Sequence, residues 1–261
     1  MSFLAIRTVN LFGVDFSNLT MQEAIQNIDG IIKKNRGVGE QGYVVTPNVD
    51  HIVNVHKDSH FREIYKGATL TLVDGAPIFM LSKKIGVPLK AKVSGSDLTP
   101  HLFELAQKNG YRVFIFGSRE GVPDLAIQKI KSEYGYTFPI ESYSPPFGFE
   151  KQPDVLGESI KKIQEFQPDI LLVSLGSPKG ERFIYENLKE LNVPISLQIG
   201  ASIDFIAGTV KRAPLWMQKV GLEWFYRFLQ EPKRMFRRYF INDSYFLVLV
   251  FKEFFKRRRG Q

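Results

Sequence analysis

From residue 42 to residue 200 the chain alternates two kinds of apolar pattern. Short β-branched and aromatic runs recur at 42–45 (GYVV), 69–73 (TLTLV), 112–117 (RVFIFG), 138–143, 169–176 (DILLVSLG) and 195–200 (ISLQIG). Runs of this length bounded by turn residues predict strands buried on both faces. Between them lie stretches with apolar residues at helical spacing. Thr20-Met21-Gln22-Glu23 reads as a capping box opening a helix to about Lys34. Further helices are predicted after Pro47 and over 76–85, 100–109, 123–134, 154–166 and 179–190, and the opening stretch supplies one more strand.

Strands alternating with helices predict an α/β fold, a mostly parallel sheet with helices on both faces. The alternation stops near Gly208. We therefore expect a smaller N-terminal α/β part over 1–90, a Rossmann-like part over 91–210 with strand tips of the kind that form a nucleotide-type site, and a helical C-terminal appendage over 211–261.

In such sheets ligands bind beyond the carboxyl ends of the strands. The tips read Thr46-Pro47-Asn48, Asp74-Gly75, Gly117-Ser118, Pro145-Pro146, Gly176-Ser177-Pro178 and Gly200-Ala201. Thr, Pro, Asn and Asp also make ordinary turns and helix caps, so one polar tip alone means little. Asp74 has two readings. It is a carboxylate at the end of an apolar strand, desolvated and poised as a general base, or it is the N-cap of the helix over 76–85.

Charge divides the chain more sharply than composition does. Among 261 residues the net charge is +8, yet residues 211–261 hold 13 Lys/Arg against 4 Asp/Glu, leaving the rest nearly neutral. That tail also carries both tryptophans. Leu222, Phe225, Tyr226 and Leu229 form an apolar stripe, as do Phe236, Tyr239 and Phe240. Basic and aromatic residues on amphipathic helices predict docking on an anionic membrane surface, aided by Lys256, Arg257, Arg258 and Arg259, with a solvated tail or a core-packed helix pair as the other readings. Arg227, Arg234 and Arg237 would share one face of a continuous helix, with Pro232 the point of interruption.

Several chemistries lack their residues. There is no cysteine, no P-loop and no G-x-S-x-G elbow. His56 and His60 are four apart but have no acidic ligand motif beside them. No Asp-x-Asp occurs, so a diphosphate would be held by cationic side chains and helix N-termini without a metal or other cofactor. The N-terminus lacks a basic leader, and no apolar run approaches the roughly 20 residues of a spanning helix.

The blocks TPNVDHI, LVDGAPI, SGSDL, FGSREGV, SPPFGF, LGSPKGE and the long run from IGASIDF to EPKRMFRRY stand in this order. Together they resemble the WecG/TagA/CpsF family, glycosyltransferase family 26. The resemblance implies an inverting, metal-independent enzyme, peripheral on the cytoplasmic face of the membrane. It would move an N-acetylmannosamine-type or uronic-acid sugar from a UDP-sugar to a polyprenyl-diphosphate-linked sugar, in teichoic acid, capsule or exopolysaccharide synthesis. By position it implies Asp74 as base, Arg227, Arg234 and Arg237 as catalytic cations, and Thr46, Asn48, Lys92, Asp97, Lys179, Glu181 and Asp204 as substrate contacts. Two positions depart from the family pattern: Gly180 stands where a glutamine is usual, and Lys92 where an arginine is usual, losing the bidentate fork. The other reading of the residues is a non-catalytic nucleotide-sugar- or RNA-binding protein. RNA fits the apolar runs such as FLVLVF poorly, and no nucleic acid is expected as a partner.

Overall fold

The computed structural model describes residues 6–259, with the side chains of Arg234, Arg237, Phe240, Ile241 and Arg259 outside that description. The chain opens with an antiparallel hairpin, β1 (Thr8–Leu11) and β2 (Val14–Ser17), turned by Phe12 and Gly13, both at positive φ. The opening strand expected from sequence is thus a hairpin apart from the main sheet.

Six strands form that sheet: β3 (Gly42–Val45), β4 (Leu70–Thr71), β5 (Val113–Gly117), β6 (Ile140–Tyr143), β7 (Ile170–Ser174) and β8 (Ile195–Gln198). Their order is β4-β3-β8-β7-β5-β6 and every pairing is parallel. Side chains alternate between two cores, as a period of two requires. Tyr43, Val45, Phe114, Phe116, Leu171 and Val173 face one core; Val44, Val113, Ile115, Ile170, Leu172 and Leu197 face the other. Phe116 stacks on Phe183 at 4.4 Å between ring centroids, and burying a phenylalanine fully contributes about 2–3 kcal/mol.

The helices cover both faces. They are α1 (Met21–Val38), α2 (Val49–Lys57), α3 (Ser59–Lys66), α4 (Ala76–Lys84), α5 (Gly95–Asn109), α6 (Val122–Ser132), α7 (Pro153–Phe166), α8 (Lys179–Glu186), α9 (Leu188–Leu191) and α10 (Ser202–Ala207). The Thr20 and Glu23 side chains form the expected capping box. Helix α1 runs past the expected end near Lys34 to Val38, the helix expected over 179–190 is divided at Asn187, and two further differences bear on the site. The helix expected over 100–109 starts at Gly95, because Ser94 accepts the Asp97 N–H and caps it, leaving Pro100 in its second turn. The strand expected over 69–73 is regular only at Leu70–Thr71, although Thr69 and Leu72 on either side still donate to the Tyr43 and Val45 carbonyls of β3.

The appendage comprises α11 (Leu215–Lys219), α12 (Glu223–Gln230), α13 (Pro232–Phe236), a π-helical turn Arg237–Asn242 and α14 (Tyr245–Arg259). Pro232 interrupts the helix: Glu231 before it leaves helical geometry, at φ −134° and ψ 65°. Then α14 folds back on the body. Phe246 and Leu249 are buried in the core, Phe246 lies 5.1 Å from Phe12, and Arg257 donates to the Asn10 carbonyl at 2.6 Å. Among the described residues no helix is long and apolar enough to cross a membrane.

Candidate active site

The polar tip after β3 and the end of β4 are stitched together by backbone. Leu72 donates to the Val45 carbonyl at 2.9 Å and Asp74 donates to the Pro47 carbonyl at 3.0 Å, which sets Asp74 beside Asn48. Gly75, at φ 94°, then turns the chain into α4 and serves as its N-cap without a side-chain bond. Asp74 is therefore not the cap. Its carboxyl has no hydrogen-bond partner among the described residues and faces a cavity of about 580 Å³.

That cavity sits over the carboxyl ends of β3, β7 and β8, where Thr46, Asn48, Asp74 and Gln198 meet Arg227 and Arg238 of the appendage. Water reaches part of Asp74, but protein surrounds the carboxyl at longer range, and this lost hydration pushes it above the ordinary carboxylate range. Arg227 pulls it back, Glu223 pushes it further, and Lys92 and His51 oppose the rise. A partly raised carboxyl opposite a guanidinium can accept a proton from a hydroxyl while the cation holds an anionic group.

Asn48 is fixed from several sides. As N-cap of α2 it accepts the Asp50 N–H through Oδ1 at 3.1 Å. Arg238 donates to the same oxygen at 3.3 Å, and His51 Nδ1 lies 2.7 Å from it. The oxygen is thus occupied, and among the described residues the amide nitrogen is the end left for a ligand. His51 is in turn held at Nε2 by Glu181 Oε1, 3.0 Å away. Glu181 is only 1% exposed, and its second oxygen has no partner. It reaches the cavity through His51 and does not line it.

The other predicted residues ring this centre. Asp97 takes Arg212 at 2.6 Å and Lys92 at 3.6 Å. Burial works against its charge, yet the Ser94 hydroxyl, Arg212 and Lys92 outweigh burial and hold it below the usual range. Arg212 also meets Glu223 on α12 at 3.3 Å, so Asp97 ties the appendage to the body. Lys179 pairs with Glu150 at 2.8 Å and lies over the Phe147 ring at 5.0 Å, in a second cavity of about 540 Å³ at the tips of β5 and β6. Asp204 lines a third cavity of about 460 Å³ with Arg119, 3.8 Å away. Leu175 is shared by the first and second cavities, Arg119 by the second and third, and Arg227 by the first and third, so the three lie side by side. The side chains of Arg234 and Arg237 lie outside the described residues.

A profile described as "Glycosyl transferase WecG/TagA/CpsF family" matches residues 9–260. Two curated relatives are each named N-acetylglucosaminyldiphosphoundecaprenol N-acetyl-beta-D-mannosaminyltransferase. The one from Bacillus subtilis (strain 168) is 31% identical over 197 residues, 76% of this chain and 74% of the relative. That from Staphylococcus aureus (strain MW2) is 28% identical over 229 residues, 88% of this chain and 87% of the relative.

The chain belongs to the WecG/TagA/CpsF family.

It is accordingly a glycosyltransferase, and the reading as a non-catalytic binding module falls. For a WecG/TagA/CpsF enzyme, the structure adds residues that sequence reasoning did not select. His51 stands three positions after Asn48, the spacing at which a helix returns a side chain to its cap, and that signal was available. Gln198 is an amide in an otherwise apolar strand, a second available signal. Arg212, Glu223 and Arg238 had none, because only the folded appendage brings them to the body.

Proposed function

We propose that this enzyme transfers an N-acetylmannosamine-type sugar from a UDP-sugar to N-acetylglucosamine carried on a polyprenyl diphosphate. The acceptor and sugar class follow the two relatives' names. Those names specify a β-linked product; from an α-linked nucleotide sugar that outcome is inversion, a single displacement needing one base and one stabilised leaving group. Asp74 takes the proton of the acceptor hydroxyl. The freed oxygen attacks the anomeric carbon, the bond to the donor phosphate breaks, and UDP departs. Arg227, with Arg234, Arg237 and Arg238 of the same appendage, holds the developing diphosphate charge without a metal. Asn48 offers its amide N–H to the sugar, with Glu181 and His51 as positioning residues behind it. Lys179 over Phe147 and Phe149 suits a flat base beside an anionic chain, so the second cavity takes the uridine end of the donor. Lys92 and Asp204 border the sugar and diphosphate.

Membrane docking belongs to the same proposal. Among the described residues most of the strongly exposed large apolar side chains lie on the appendage, including Leu215 at 72%, Trp216 at 62%, Phe251 at 64% and Phe255 at 57%. An enzyme whose acceptor is a lipid must bring its cleft to the membrane surface, and this face would seat there.

The observation that carries the functional reading is the Asp74 carboxyl, freed from capping and facing Arg227 in one cavity. The test is UDP release from a UDP-sugar in the presence of a lipid-linked N-acetylglucosamine acceptor. Release that depends on acceptor and is lost in Asp74→Asn supports it; hydrolysis indifferent to acceptor contradicts it.

A further inference from the structure

Gly180, in the first turn of α8, is a helix position with no positive φ to explain a glycine. A Cβ built there would lie 2.9 Å from Cγ and 2.9 Å from Nε2 of Gln198, well inside contact distance. The space in front of Gly180 is thus filled by an amide arriving from β8. Gln198 is 5% exposed, lines the central cavity, and donates through Nε2 to the Leu175 carbonyl at 2.8 Å. Cγ and Nε2 are the atoms nearest Gly180 and one N–H of Nε2 is spent on Leu175, which leaves Oε1 as the free acceptor of a side chain that lines the cavity. It bonds to nothing among the described residues.

We infer that Gln198 is a substrate-contacting residue whose amide oxygen accepts a hydrogen bond from a hydroxyl or amide N–H of the donor sugar, and that Gly180 is small in order to admit it. Positions 180 and 198 form one unit that holds one amide in this wall, delivered here from the sheet. This rests on the functional reading above and assigns a specificity contact within it.

The test compares native enzyme with Gln198→Ala, Gly180→Gln and the double variant, measuring kcat/KM for the UDP-sugar at saturating acceptor. Loss of one neutral hydrogen bond predicts about a three- to tenfold fall for Gln198→Ala. Gly180→Gln alone falls further, since its side chain collides with Gln198. The double variant, with its amide re-entering from α8, exceeds Gln198→Ala. Native kcat/KM in Gln198→Ala, or a double variant no better than Gln198→Ala, overturns the assignment even if Gly180→Gln fails to fold. Native enzyme that transfers nothing overturns the functional reading instead. The coupling is then still read from melting temperatures: Gly180→Gln should lower the midpoint and the added Gln198→Ala should restore it, and additive changes would sink the coupling.

Discussion

The two walls of the central cavity are built in different ways. One is the carboxyl end of the sheet, where Thr46 and Asn48 follow β3, Asp74 follows β4 and Gln198 ends β8, strands whose own residues are buried. There, backbone bonds to Val45 and Pro47 and the Glu181–His51 pair fix each polar group. The other wall is the appendage, whose helices are short and present apolar residues outward. Beside the cavity it meets the body through ions, Arg212 on Asp97 and Arg238 on Asp50 at 3.4 Å, while farther off α14 packs Phe246 and Leu249 into the core. The difference teaches a division of labour. Proton transfer tolerates little misplacement, and its carboxylate is on the rigid wall. Charge stabilisation falls off more gently with distance, and the cations proposed for it are on the wall that carries the exposed apolar side chains.

Breaking the rigid wall should cost most. Asp74→Asn should lower kcat by about 10²–10⁴-fold, the usual contribution of a base, with donor KM little changed. Removing a cation from the second wall comes next: Arg227→Gln should lower kcat by about 10²-fold, as for loss of one group on a developing anion. His51→Ala should cost about tenfold by releasing Asn48 from its fixed orientation, and His51→Asn should recover part of that, whereas a loss confined to melting temperature would make the pair merely structural. Chelation should leave turnover unchanged, and restoration of a lost activity by added Mn²⁺ or Mg²⁺ would count against cationic side chains as the diphosphate clamp. The smallest effects belong to the tail charges. Lys256 and Arg258 are exposed, and replacing them should weaken binding to anionic vesicles by at most about 1 kcal/mol each. Arg257 is different: it is engaged by Glu253 at 2.6 Å and by the Asn10 carbonyl, so its replacement should loosen α14 and lower the melting temperature.

What was legible in the sequence tracks the same division. Strand runs and caps are local patterns, so the parallel sheet and the tip cluster at Thr46, Asn48 and Asp74 could be read directly. Two choices left open there were decided only by geometry. Asp74 is freed from capping because Gly75 takes the N-cap, and Asn48 is both a cap and a cavity residue. The hairpin at the N-terminus and the early start of α5 turned on Gly13 and Ser94, whose turn and cap chemistry overrode the apolar pattern. The return of α14 was not legible at all. YFLVLVF is too short to span a bilayer and is apolar all round, so it does not say which side chains turn inward; Phe246 and Leu249 enter the core beside Phe12 while Leu247 and Phe251 stay out, a choice made by tertiary contacts far apart in the chain. Arg212 and Arg238 escaped notice for the same reason.

The coupling between the walls is tested most directly by the pH dependence of kcat/KM. As the proposed base, Asp74 would have to be ionised to act, and burial raises its pKa, so the acidic limb should lie above the usual carboxylate value of about 3.9. Arg227 opposes that rise and Glu223 adds to it. Arg227→Gln should therefore move the limb to higher pH and Glu223→Gln should move it to lower pH. Opposite shifts of this kind would place both appendage residues in electrical contact with the base. A limb that stays put in both variants would contradict the assignment of Asp74 as the base facing Arg227.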